Sequence, residues 1–164
     1  MIVIKLNKKL ITIVIVSLFS FGLFGCDLNN SINPNKIYTE NDIKKEFKIS
    51  LISSTKDCIA IAKDVLSTKD INSDNLSKEL PKINKISEKM KKEYNKYQVI
   101  SKNTDSAKSK ELADTSLKTF KHLYDSINSL IESIKNGDSD NYSKASNNFA
   151  QGLSKIYDFY NSIK

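Results

Sequence analysis

Apolar residues recur along most of this chain at steps of three and four, the period that returns side chains to one helix face. Over residues 39–68 the stripe is Ile43, Phe47, Leu51, Cys58, Ala62 and Val65, widened by Ile52, Ile59 and Leu66. This predicts the most apolar helix, and so the deepest. Thr39 can cap its free amides, and Glu40 and Asp42 suit the positive end of its dipole. A polar connection over 69–80 follows. Pro81 then fits the opening turn of a second helix to about Ser101, with Ile83, Ile86, Met90, Tyr94 and Tyr97 inward. After a break at Asn103 and Thr104, with Thr104 or Asp105 as cap, a third helix reaches Asn136. Its Ala113, Leu117, Phe120, Tyr124, Ile127, Ile131 and Ile134 alternate steps of four and three, the seam of a heptad. Gly137 supplies a left-handed stop, and Asp138 or Ser139 opens a fourth helix through Tyr142, Phe149, Leu153, Ile156, Tyr160 and Ile163.

Four amphipathic helices joined by short links predict an all-α fold, an antiparallel four-helix bundle over residues 39–164. Helices of this length are marginal alone and are stabilised by burying one face against the others. A chain of this size buries about two thirds of its unfolded surface, enough for one core without disulfides. Two alternatives remain open: a three-helix core with one helix detached, and a dimer that completes the bundle through the heptad seam.

The first 25 residues follow a different pattern. Lys5, Lys8 and Lys9 precede an apolar or small run over residues 10–24, too short for a bilayer core that takes roughly 20 helical residues. Leu23-Phe24-Gly25-Cys26 closes the run, and Asp27 begins an abrupt polar shift. The segment resembles the bacterial lipobox, in which a diacylglycerol joins the cysteine thiol and the chain is cut between Gly25 and Cys26. The resemblance implies a signal peptide over 1–25 and Cys26 as the acylated first residue. Phe24 is larger than usual at its place and suits the looser lipoboxes of spirochaetes. Each buried methylene adds ~0.8 kcal/mol, so the two or three chains of a bacterial lipoprotein anchor it without a span. Residues 26–38, rich in Asn with Pro34, predict a disordered tether. An uncleaved anchor with an ordinary thiol at Cys26 is the alternative.

Removing three lysines and no acid from 26 basic and 19 acidic residues leaves a net charge of +4. Every basic residue is Lys. That counts against nucleic acid as partner, because the planar fork that reads guanine or clamps phosphate is the guanidinium. Cys58 has no intramolecular partner and reads as a small core residue. Together with the single His122 it matches no zinc spacing, so no metal or cofactor is expected. Glu88, Glu93, Asp114 and Asp125 fall on faces read as solvated, where nothing raises a carboxylate pKa, and no catalytic set assembles.

Lys78, Lys82, Lys85, Lys89, Lys92 and Lys96 recur at steps of four and three along the second helix. Placed about 200° from the apolar row, they form a solvated strip about 27 Å long that could engage a sulfated glycosaminoglycan or an acidic protein. Glu88 before Lys92 and Glu93 after Lys89, each four residues away, offer local ion pairs that favour an ordinary solvated face. Tyr94 and Tyr97 read as core residues rather than stacking partners of that strip.

The Lys-Asn-Ile-Ser-rich, arginine-free composition, the loose lipobox, the Asn-rich tether and the helical body together resemble the small plasmid-type surface lipoproteins of Borrelia spirochaetes. The resemblance implies an outer-surface location and binding of host complement regulators or matrix components. The expected function is thus a non-catalytic surface lipoprotein, membrane-held through Cys26 as monomer or weak homodimer, that binds a host factor or shields the surface. A structural lipoprotein facing the periplasm, pairing through an exposed helix seam, is the alternative.

Overall fold

A computed structural model of the chain describes residues 32–67, Ile71 and residues 74–163. Gly25, Cys26 and the rest of the expected signal segment lie outside the described residues. Among the described residues four helices pack against one another: α1 Glu40–Ser67, α2 Asp74–Lys102, α3 Ala107–Asn136 and α4 Ser139–Ile163. Asp57 of α1 meets Lys89 of α2 while Glu46 meets Lys96, and Ser87 of α2 meets Asn128 of α3 while Ser101 meets Asp114. Phe47 of α1 lies beside Phe159 of α4, and Val65 beside Tyr142. Rising numbers on one helix meet falling numbers on the next, so the bundle runs up, down, up, down. Among the described residues no helix is long and apolar enough to cross a membrane.

Each helix contributes one ring to an aromatic centre. Phe47 stands edge-on to Phe159 with ring centroids 4.8 Å apart, and 5.7 Å from Phe120; Tyr97 stacks on Phe120 at 5.2 Å. Phe47, Tyr97 and Phe120 are fully buried. The core also holds serines, and three on α3 show how helices tolerate them there. Ser116, Ser126 and Ser133 donate to the carbonyls of Leu112, His122 and Ser129, four residues back, at 2.9, 2.7 and 2.7 Å.

Several boundaries follow the expected chemistry. Thr39 and Asp42 cap α1 reciprocally: the Asp42 amide donates to the Thr39 hydroxyl at 3.2 Å, and the Thr39 amide donates to the Asp42 carboxylate at 3.0 Å. Gly137 adopts φ 63°, and the amide of Asp138 donates back to Ser133 at 3.0 Å, closing α3. Asp138 caps α4 by accepting from the Asn141 amide at 3.0 Å.

Other boundaries differ. Ser106, not Thr104 or Asp105, caps α3 by accepting from the Ser109 amide at 3.2 Å. Thr104 and Asp105 are otherwise engaged: Thr104 bridges to Tyr38, whose carbonyl accepts from the Asp105 amide at 3.2 Å. Tyr38, the expected end of the tether, is therefore buried, and Ile32 packs against the core. Residues 32–38, expected to belong to the tether, thus meet the bundle at Ile32 and Tyr38. Pro81 lies eight residues into α2 rather than in its opening turn. The helix starts early because Ile71 and Leu76, in the stretch read as a polar connection, are both buried. Pro81 itself is exposed, where the carbonyl it leaves without an amide can meet water.

The faces shift as well. α3, rather than α1, makes the most extensive contacts, lying against α2 and α4 along its length. Serving two neighbours widens and turns its inner face: Ser116, Leu123 and Leu130 are buried, while Leu117 and Tyr124 of the expected seam are only partly so. On α1, Ile61 is buried and Ile52 is 39% exposed; the Leu66 side chain lies outside the described set.

Candidate interaction surfaces

The six lysines of α2 read as a row, Lys78, Lys82, Lys85, Lys89, Lys92 and Lys96, do not form one solvated strip. Lys82, Lys89 and Lys96 stand one residue before Ile83, Met90 and Tyr97, and at ~100° per residue this places them at the flank of the buried face. There they meet α1. Lys82 lies 3.8 Å from Asp64, Lys89 2.7 Å from Asp57, and Lys96 2.7 Å from Glu46. Lys89 also donates to the Ser53 carbonyl at 2.6 Å. The local pair expected between Lys89 and Glu93 is replaced by these contacts across helices. Lys85 and Lys92, two residues after Ile83 and Met90, do point away from the core, and together with Lys78 they are exposed. The row of six thus divides: Lys89 and Lys96 fasten to α1, Lys82 stays exposed and lies closer to Glu79 of its own helix, at 3.0 Å, than to Asp64, and Lys78, Lys85 and Lys92 face solvent.

The inward row ends in a half-enclosed cluster. The Lys96 side chain is only 11% exposed, with Glu46 at 2.7 Å and Glu93 at 3.8 Å. Ser50 donates to Glu93 at 2.5 Å and accepts from Lys96 at 3.1 Å and from the Tyr97 hydroxyl at 3.4 Å. Burial pushes the Tyr97 phenol well up, with the Ser50 contact opposing. Glu93, read from sequence as solvated, is thus held between α1 and α2. Asp114, read the same way, takes Lys110 at 2.8 Å and a short bond from Ser101, and these hold its carboxyl below the usual range, Lys110 most strongly. Glu88 and Asp125 are exposed as expected. Tyr94 stays at the edge of the bundle, stacked on Tyr124 at 6.4 Å and accepting from the Gln98 amide at 2.7 Å.

Cys58 is fully buried, and burial pushes its thiol up to about 12, so at neutral pH it is protonated and shielded rather than nucleophilic. His122 is engaged elsewhere, its Nε2 lying 3.2 Å from the Asn148 carbonyl of α4. Among the described residues no group of three His, Cys, Asp or Glu side chains gathers to hold a metal ion.

A groove between α3 and α4 is the feature that the sequence reading missed. Thr115, Lys118, Thr119 and His122 from α3, with Gly152 and Lys155 from α4, line a concavity of about 290 Å³. At Gly152 the two helices approach closely. A Cβ there would come within 2.8 Å of Leu123 Cδ2 and 3.0 Å of His122 Cδ2, so the glycine lets the His122 ring lie against the α4 backbone. A signal did exist: a glycine inside a helix costs ~1 kcal/mol relative to alanine and implies a close approach. No family model, curated protein or solved structure matches this chain.

Proposed function

We propose that the chain is a lipid-anchored envelope lipoprotein, held through Cys26 at the outer surface, whose helical body presents lysines to an anionic host partner. The polar shift at Asp27, immediately after a charged and apolar leader closed by Leu23-Phe24-Gly25-Cys26, supports the anchor. The observation that carries the binding reading is the exposure of Lys78, Lys85 and Lys92 at seven-residue intervals on α2, outside the ladder that joins α2 to α1. Spaced by about 10 Å along the axis, three cations on one face suit a repeating polyanion such as a sulfated glycosaminoglycan, or an acidic protein surface.

Geometry favours the same use. Residues 32–38 dock where α1 begins and α2 ends, through the Tyr38 bridge to Thr104 and a Lys36–Asp42 ion pair of 2.7 Å. A lipid on Cys26, six residues before Ile32, would keep that end within about 20 Å of the membrane. Lys78 stands near the opposite end of the bundle, so the free row starts at the end away from residues 32–38 and runs back past the middle of α2 to Lys92.

Two measurements test the two halves of the reading. Intact-mass analysis of protein from native cells is expected to show loss of residues 1–25 and added acyl mass at Cys26; a retained Met1 without acyl groups would remove the anchor. For the partner, K78Q/K85Q/K92Q should leave immobilised heparin at lower salt than the parent, and unchanged elution would remove the polyanion. Shaving by protease on intact cells separates the outer-surface location from the periplasmic alternative.

A further inference from the structure

Ion pairs and apolar packing are distributed in opposite ways over this bundle. Among the described residues, every ion pair that joins two separate parts of the fold has one end on α1. Glu40 meets Lys108 of α3 at 2.8 Å, Asp42 meets Lys36 at 2.7 Å, and Glu46, Asp57 and Asp64 meet lysines of α2. Those are all the acids that α1 carries. The remaining pairs stay within one helix, as Lys110 with Asp114 and Lys121 with Asp125 do on α3.

α3 lies against α2 and α4 along its length, whereas α1 meets each of its neighbours less extensively. Its seam is thinnest in the middle. Between Leu51 and Ile61 the described side chains that α1 buries are Ser54 and Cys58, both small, and the Ser54 Oγ finds no hydrogen-bond partner among the described residues. At that stretch the Lys89 ammonium donates to Asp57 at 2.7 Å and to the Ser53 carbonyl at 2.6 Å. The side chains of Lys89 and Asp57 are 37% and 42% exposed, so dissolved ions reach the pair and screen it, while the apolar contacts of the other seams do not weaken in that way.

We propose that α1 is an electrostatically latched helix: it lifts from α2, α3 and α4 as a unit while those three stay folded, and ions that compete for its partners loosen it. Lifting frees Lys82, Lys89 and Lys96 and uncovers the inner face of α2 around Met90 and Tyr97. The latch depends neither on lipidation nor on the identity of any partner.

Cys58 supplies the probe, because its thiol is fully buried on α1 and reacts only when that helix opens. The full-length chain carrying Cys26→Ser, in neutral-detergent micelles at neutral pH, is treated with excess disulfide reagent, and amide hydrogen exchange is followed under the same conditions. Each rate, divided by that of an unstructured peptide, gives an opening constant. The constant at Cys58 should exceed that of the slowest amides of α3 by at least about tenfold. D57N/D64N should raise it about threefold or more, as should about 0.5 M sodium chloride, while leaving the α3 amides unchanged. D125N, which breaks a pair within α3, should leave Cys58 unchanged. Circular dichroism checks that each variant is folded. Equal opening constants at Cys58 and in α3 would make the bundle one cooperative unit and overturn the inference, as would a Cys58 constant unmoved by D57N/D64N or by salt.

Discussion

Along the seam between α1 and α2, Lys82, Lys89 and Lys96 find carboxylates of α1 at 3.8, 2.7 and 2.7 Å, whereas between α3 and α4, Lys118 and Lys155 line a groove with no carboxylate in its wall. The residue type is the same, and both sets sit at helix flanks. What differs is the facing helix. α1 places Glu46, Asp57 and Asp64 opposite the lysines, so their charge is used within the fold; across the other groove stand threonines, a histidine and a glycine. Lysine is therefore a fastening in one seam and an open valence in the other.

The comparison breaks most severely at its most enclosed member. Lys96→Ala would leave Glu46 and Glu93, 15% and 16% exposed, without their cation, and should destabilise the chain by about 2–4 kcal/mol, a range set below that of fully buried pairs because some water reaches the cluster. Urea unfolding measures it; a loss under about 1 kcal/mol would show that water already screens the cluster. Gly152→Leu attacks the opposite seam by forcing side-chain atoms into Leu123 and His122, and should cost about 1–3 kcal/mol while closing the groove. A variant of parental stability with the groove still open would contradict the close approach.

Acid sharpens the contrast at the mouth of the α1–α2 seam. Lys36, then the amide and hydroxyl of Thr39, lower the Asp42 pKa from 3.8 to about 2. The carboxylate is favoured in the folded state, so its contribution is complete above the ordinary carboxylate range and fades as pH falls through about 4 to 2. Asp42→Ala should cost about 1 kcal/mol at neutral pH, with the gap to the parent narrowing across that acid window. A gap that widens there would reverse the sign. The smallest effect belongs to the open valences: K118Q/K155Q should stay within about 0.5 kcal/mol of the parent by the same unfolding measurement, because no ion pair is lost.

Much of the architecture was legible because helix periodicity is local. The positions of Phe47, Tyr97, Phe120 and Phe149 in the core, the stop at Gly137 and the Thr39 cap each rest on residues a few places apart. What escaped depends on contacts distant in sequence. Asp57 and Lys89, or Glu46 and Lys96, are neighbours only once α1 folds back on α2, so counting Glu88 and Glu93 as the nearest acids gave the wrong partners. Tyr38 read as the end of a tether because its bridge to Thr104 joins two segments more than sixty residues apart. On α3 the expected Ala113, Phe120, Ile127, Ile131 and Ile134 are buried, while Leu123 and Leu130 join them and Leu117 and Tyr124 stay partly exposed, because α3 packs against two helices, which a single heptad seam does not describe. The groove escaped for the same reason, since Gly152 has meaning only against Leu123 and His122.

The division of the α2 lysines is the claim on which the surface reading rests, and amine-acylation footprinting read by mass spectrometry, with and without heparin, tests it most directly. Lys78, Lys85 and Lys92 should label fast and become protected when heparin is added, while Lys96 labels slowly in both conditions. Labelling of Lys96 as fast as Lys92, or no protection of the three exposed lysines, would contradict it.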